Sequence, residues 1–196
     1  MRDTNTHIRA WLVALSVLIA AAGAADPPPA AQPSRLDLSH PYVDGSFGFQ
    51  ISAPVECEIR RQKRMSSVMD VEVVEFANEL QRWSLTVRVV TTTAPSLDSR
   101  TIVDGITQNL SEDFKDVNVL RGEEVRIDAR EGVRYAASFT ADGFPWLRQQ
   151  AIVRTRPTEY YAMVFITTLQ DREWAGKIFE KIVGSFRIVR TEAMAG

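Results

Sequence analysis

Apolar and polar positions alternate through most of this chain, and the period lengthens to that of a helix in two places. The clearest stretch is Thr158 to Val189. Within it Tyr160, Ala162, Val164 and Ile166 point one way and Tyr161, Met163 and Phe165 the other, because side chains alternate along a strand. Both faces are apolar, so this strand is expected to be covered on both sides. Its β-branched and aromatic content favours a strand over a helix of the same residues. The period then changes. Trp174, Ile178 and Ile182 recur every fourth residue, and Ala175, Phe179, Val183 and Phe186 fill the adjoining rows, which makes one broad apolar stripe. Asp171 and Glu173 near its start, with Lys177 and Lys181 further on, suit the helix dipole.

The same period-two pattern predicts further strands. One runs from Ser46 to Ser52 and is broken by Pro54; a more polar one, Cys57 to Gln62, suits a sheet edge. Met69 to Phe76 and Trp83 to Thr92 form two strong strands, with Asn78 in the turn between them. In the second, Trp83, Leu85, Val87 and Val89 share one face, and Thr86 and Arg88 the other. Ile102, Val103, Ile106, Leu110 and Phe114 follow helical spacing, so a helix is expected from Asp98 to Asp113, capped by Ser96 or Asp98. Strands Val117–Ile127, Gly132–Thr140 and Trp146–Arg154 follow, and Ala141-Asp142-Gly143 signals a hairpin. Consecutive antiparallel strands with one helix in the middle and one at the end give an α+β domain. The simplest arrangement is a central antiparallel sheet flanked by helices.

The first 25 residues read as a secretory signal. Arg2 and Arg9 flank a polar start, Trp11 to Ile19 form a short apolar core, and Ala22-Gly23-Ala24 fits the small-x-small rule for cleavage after Ala24 or Ala25. The apolar run is short for a membrane span, which needs about 20 residues, although an uncleaved anchor is the alternative. Residues 26–40 form a stiff spacer with Pro27, Pro28, Pro29 and Pro33. Residues 41–190 then make one α+β domain, followed by a tail at 191–196. The reading is therefore an exported protein, periplasmic or extracellular, with no stable membrane span after cleavage.

Charge narrows the partners. The full chain carries −2, and loss of Arg2, Arg9 and Asp3 with the signal leaves it one unit more negative, which argues against nucleic-acid binding. Cys57 is the sole cysteine, so no internal disulfide forms; it is either buried or able to pair between chains.

Little catalytic chemistry is available. Past the signal, His40 is the only histidine and lies beside the spacer, too poorly placed to serve a nucleophile. Histidine and cysteine together supply at most two ligands, short of a zinc site. Phosphate-loop, zincin and serine-elbow motifs are absent. Asp70 and Glu72 share a face, whereas Glu123 and Glu124 point apart; only their charge suggests acid–base work, which makes a carboxylate hydrolase a distant reading. A sequon at Asn109-Leu110-Ser111 falls within the predicted helix. Arg134, Arg148 and Arg154 recur on the late strands, with Arg148 and Arg154 in the parity of Trp146, Gln150 and Ile152. Phe144, Trp146 and Arg148, beside the hairpin tip, form the candidate partner or ligand surface. The competing view is a solvated or helix-covered face with snorkelling arginines.

The opening Phe47-Gly48-Phe49-Gln50-Ile51-Ser52-Ala53-Pro54 resembles the F-x-F/I-x-x-P start of PsbP-like domains. The closing Phe179-Glu180-Lys181-Ile182-Val183-Gly184-Ser185-Phe186 is similar to their F-x-x-I-x-x-S-F helix. At Val55-Glu56-Cys57 the chain departs from the Gly-Trp that often follows that opening. That superfamily holds the extrinsic PsbP proteins of photosystem II, the Ran-binding Mog proteins and bacterial DcrB-like envelope proteins. The resemblance spans Asp44 to Val189 and implies an α-β-α sandwich with a non-catalytic accessory or binding role. It carries no cofactor, metal or partner contact onto a particular residue. The expected function is an exported, non-enzymatic domain of the cell envelope that engages a protein partner. The alternative is a small-ligand or lipid carrier, with an apolar pocket between sheet and helix lined by residues such as Trp83, Tyr135 and Trp146. N-terminal sequencing of the exported protein is expected to begin at Ala25 or Asp26; a chain still starting at Met1 shows that the segment stays as an anchor.

Overall fold

The computed structural model describes residues 37–54, 57–65, 69–78, 82–92 and 98–189. The expected export signal, residues 26–36 of the expected spacer, Ser96 and the tail lie outside the described residues. The elements are β1 (Pro41–Asp44), β2 (Phe49–Ser52), β3 (Glu58–Met65), β4 (Met69–Asn78), β5 (Trp83–Thr92), α1 (Ser99–Asp113), β6 (Lys115–Ile127), β7 (Arg130–Ala141), β8 (Phe144–Arg156), β9 (Glu159–Thr168), α2 (Arg172–Ser185) and β10 (Arg187–Ile188). Seven strands form an antiparallel sheet in the order β3-β4-β5-β9-β8-β7-β6. A three-stranded sheet, β1-β2-β10, stands apart from it.

The doubly apolar strand is β9, and it takes the middle of the large sheet, between β5 and β8. Tyr161, Met163 and Phe165 belong to one core, with Trp83, Leu85, Val87 and Val89 of β5. Residues Ala175, Ile178, Phe179, Ile182, Val183 and Phe186 of and after α2 close that core, as do Phe49 and Ile51 of β2. Its aromatic rings stack in a chain: Phe165 on Phe179 with centroids 6.4 Å apart, and Phe49 on Phe186 at 6.3 Å. Tyr160 and Ala162 face the opposite way, into a second core with Val71, Val73, Val90, Tyr135, Ala137 and Ile152. Here α1 is the cover, through Ile102, Ile106 and Leu110, and it packs on β6 and β7. Asp98 caps α1, its carboxylate accepting the Thr101 amide at 2.8 Å.

Each face of the sheet thus carries one helix, but strands dominate and the helix-flanked sandwich is only part of the architecture. The small sheet was not expected. It shares the α2 face, and its third strand is the two-residue β10, too short to show a period. The strand expected from Ser46 starts only at Phe49. Asp44, 1 % exposed, makes the difference: its Oδ1 accepts the Ser46 and Phe47 amides at 3.1 Å and bends the chain into a turn. Gly48 completes the turn at φ +69°, where a Cβ would meet the Val189 carbonyl and the Tyr161 hydroxyl. Edge strand β3 begins at Glu58 and runs on to Met65, and Asn78 closes β4 instead of sitting in the turn. Cys57 is half-buried; its thiol donates to the Pro54 carbonyl at 3.0 Å, and burial pushes its pKa up. His40 is exposed beside β1, 2.9 Å from the Ser39 hydroxyl.

Tyr161 joins the two sheets: its hydroxyl donates to the Phe47 carbonyl at 2.7 Å. Burial, with the charge of Glu159 second, pushes this phenol up to about 12. A raised acid contributes stability that is whole below the unfolded value near 10 and is lost as pH climbs through the folded one. Two units correspond to about 2–3 kcal/mol. In urea unfolding, Tyr161→Phe is expected to be about 1 kcal/mol less stable than the parent at about pH 8, and the gap to close or reverse by about pH 11.5.

Candidate functional site

The hairpin foreseen at Ala141 is formed, by Asp142 at φ +51° and Gly143 at φ +79°, the pair of left-handed residues that a two-residue turn between right-twisted strands requires. Phe144, Pro145 and Trp146 follow it on β8. Phe144 and Trp146 are half-buried, Pro145 is exposed, and the Arg82 guanidinium lies over the Phe144 ring, 5.7 Å from its centroid. Trp146 stands opposite Phe139 on β7 and Thr168 on β9. The structure therefore brings two of the three candidate residues to one partly open aromatic end.

Arg148 is different. Two residues further along the same face, it is 2 % exposed and so is no surface group. Its Nε and Nη2 both donate to Gln150 Oε1, at 3.1 and 2.7 Å. Gln150, fully buried, stands opposite Tyr135 and Val164. Tyr135 is buried as well, and its hydroxyl lies 3.1 Å from that of Thr107 on α1. On β5 the buried Arg88 shares this face, separated from Ile152 by Ala162. Burial first, and repulsion by Arg88 second, lower the Arg148 guanidinium to about 9, which leaves it charged at neutral pH. Burial raises the Tyr135 phenol, while Thr107 and Arg148 pull it back. Taking a guanidinium out of water costs several kcal/mol even after relaxation, and two of like sign cost more. Groups perturbed in this way concentrate at functional sites.

The remaining candidates separate. Arg154 keeps the predicted parity but is exposed and bonds Glu131 at 2.8 Å. Arg134 is opposite Ala151 on the α2 face, where it covers the Phe179 ring and pairs with Glu180. Glu72 bonds Lys63 at 2.7 Å and Glu123 bonds Arg121 at 2.6 Å. Asn109 of the sequon is 8 % exposed, on the buried side of α1. The apolar pocket drawn from Trp83, Tyr135 and Trp146 is not formed. Trp83 belongs to the α2-side core and Tyr135 to the α1-side core, because strand parity sends them to opposite faces of the sheet. A cleft of about 260 Å³ opens instead at the start of α1, among Ile102, Glu124, Glu131, Ile152, Arg154 and Tyr160. Gln150, Arg88 and Asn109 went unmarked as a group in the sequence. A polar residue inside a run that is apolar on both sides, such as Arg88 between Val87 and Val89, is the signal that could have found them.

The comparison with solved structures gives this antiparallel sheet, with a helix on each face, a PsbP-like fold. Among solved structures the chain is similar to the cyanobacterial PsbP protein CyanoP of Synechocystis, at 12 % identity and a TM-score of 0.58, over 76 % of this chain and 91 % of that one. At that identity the likeness shows the fold alone. It is also similar to the Ran-binding protein Mog1p of Saccharomyces cerevisiae (11 % identity, TM-score 0.48, 74 % and 92 % covered) and to LpqN of Mycobacterium tuberculosis, involved in cell envelope biogenesis (7 %, 0.46, 69 % and 86 %). No family model matches the chain, and no curated protein matches it in sequence.

Buried ion–amide clusters that serve function tend to cost stability. Replacing the cluster with Arg148→Met and Gln150→Leu together is expected to leave the unfolding free energy unchanged or raise it by about 1–4 kcal/mol. A loss of more than about 1 kcal/mol in urea unfolding shows that the pair is a structural tie.

Proposed function

We propose that this protein is a non-enzymatic accessory domain of the cell envelope, with a PsbP-like α-β-α body at 41–190. Residues 1–25 export it and residues 26–40 space it. It engages a partner protein through the open end of the β7–β8 hairpin. One observation carries the reading: Phe144 and Trp146 stand half-exposed together at a hairpin tip, with Pro145 exposed between them and Arg82 against the Phe144 ring. Tryptophan, tyrosine and arginine are the side chains that most often anchor protein interfaces, because large flat groups exclude water at little entropic cost. A hairpin tip on a wide sheet holds such anchors rigidly.

Among the described residues there is no group of three or more histidine, cysteine or acidic residues able to hold a metal ion. The acidic side chains singled out for acid–base work at Glu72 and Glu123 are spent in ion pairs with lysine and arginine. Among the described residues no helix is long and apolar enough to cross a membrane.

A photo-crosslinking residue placed at Trp146 of the full chain in the producing cell is expected to give one discrete adduct, absent when the same residue replaces Lys177 on exposed α2. With the adduct's partner purified, Trp146→Ala is expected to weaken binding about 30-fold or more. Equal labelling at both positions overturns the partner surface. Turnover of a hydrolase substrate that disappears with Glu124→Gln overturns the non-enzymatic reading.

A further inference from the structure

A groove of about 620 Å³ opens on the α2 face of the sheet, a size at which small-molecule sites are found. Its floor is a cross-strand row. Arg121 of β6 and Gln149 of β8 both stand opposite Ala136 of β7, so two long polar side chains flank a small one. One row of α2 makes the wall: Glu173, Gly176, Lys177 and Glu180, spaced by three and four. Gly176 leaves a notch in that wall, since a Cβ there would meet nothing within 4 Å.

Most of the charge around the groove is spent. Lys177 pairs with Glu173 at 2.8 Å. Glu180 is shared by Arg134 at 2.5 Å and Arg121 at 3.4 Å, and Arg121 also holds Glu123 at 2.6 Å. Three carboxylates thus answer three cations. Two groups that line the groove stand outside this network. Arg172 is exposed, and its side chain has no partner among the described residues. Gln149 is 9 % exposed, and its Nε2 is buried with no hydrogen-bond partner among the described residues. Such orphans are rare in native interiors, and each is costly. The last torsion of a glutamine is broad and two-fold, so a half-turn of the carboxamide presents its N–H groups to the groove.

We propose that this groove binds a carboxylate, of a small acid or of a peptide C-terminus, with Arg172 as its charge partner and Gln149 as its buried donor. The match is one of charge and of donor count. A carboxylate brings one negative charge, equal to the single cation that the ion pairs leave over, and two oxygens, one for the guanidinium and one for the amide. A phosphate monoester, with nearly two charges at neutral pH, exceeds it. The notch at Gly176 and the low floor at Ala136 leave room for the rest of the ligand along α2. Gln149 and Trp146 have opposite parity on β8, so the groove and the Trp146 ring belong to opposite faces of the sheet. Either site can fail without the other.

The test titrates the full chain with sodium acetate, with acetyl-trialanine, with the same peptide amidated at its C-terminus, and with sodium chloride at matched ionic strength. Nitrogen-edited NMR follows the Gln149 side-chain amide and the Gly176 backbone amide. One or both acids are expected to shift these signals saturably, and the amidated peptide and chloride to leave them in place. A response to acetate, with or without the peptide, assigns the site to a small acid; a response to the free-acid peptide alone assigns it to a chain end. Arg172→Gln is expected to weaken binding about 10-fold or more, the loss of one charge-assisted hydrogen bond. Gln149→Leu is expected to weaken it to a similar extent by the Gly176 signal; should that variant not fold, Gln149→Met takes its place. The site is overturned if neither acid acts, if the amidated peptide or chloride acts equally, or if either folded variant binds as the parent does.

Discussion

Strand β9 sits at the centre of a seven-stranded sheet with almost no residue open to water, and that constraint organises the molecule. A strand apolar on both faces must be covered twice, and the two covers cannot come from one element. On the side of Tyr161, Met163 and Phe165 the cover is thick: α2, Phe186 after it, and the small β1-β2-β10 sheet all contribute. Phe165 and Phe179 stack there almost in parallel, at 12°, and Arg134 closes the outside of Phe179. The small sheet owes its place to this core. Tyr161 donates to the turn before β2, Ser185 at the end of α2 accepts the Ser52 amide, and the Val189 amide reaches back to Gly48.

Past Tyr160 the other face of β9 is built from smaller groups, and the difference has consequences. Ala162 and Val164 leave room above the sheet where Tyr161, Met163 and Phe165 leave none below it. Long polar side chains occupy that room: Arg88 from β5, Arg148 and Gln150 from β8. Helix α1 lies mainly over β6 and β7. Packing thus decides where chemistry can sit. On the aromatic side Arg134 is held at the outside of Phe179 beside Glu180, whereas Arg88 and Arg148 lie over the small central residues of the other side.

Strand existence and pairing were legible because alternation is a local property: Trp83, Leu85, Val87 and Val89 share a face whatever lies next to them. The Asp98 cap and the Asp142-Gly143 turn were legible for the same reason, since each depends on neighbours in the chain. Burial of Arg148 was not. Its parity with Trp146 was plain, but exposure depends on what other elements bring to that point, and no local pattern reports it. The same blindness produced the pocket drawn from Trp83 and Tyr135. Each strand's alternation can be read alone, but the relative phase of two strands is fixed only by pairing, and pairing through β9 sends these rings to opposite sides. Asp44 shows the converse: the alternation of Phe47, Phe49 and Ile51 is local and plain, yet this buried carboxylate at the end of β1 turns the chain and delays β2 by three residues from the expected start.

Strand β8 carries a half-open aromatic end and a buried polar pair a few ångströms apart, and their difference follows from position along one strand. Trp146 is near the hairpin, where β8 has neighbours on both sides but the strand end leaves the ring partly open. Arg148 is one pleat deeper, about 7 Å along, and the opening is gone. An aromatic ring gains from a half-open position, since its area can be buried again by a partner. A guanidinium at that depth gains nothing from the apolar residues around it, and the like charge of Arg88 adds to its cost. Selection for stability alone would replace such residues with leucine or methionine, as cores tolerate volume-conserving exchange well.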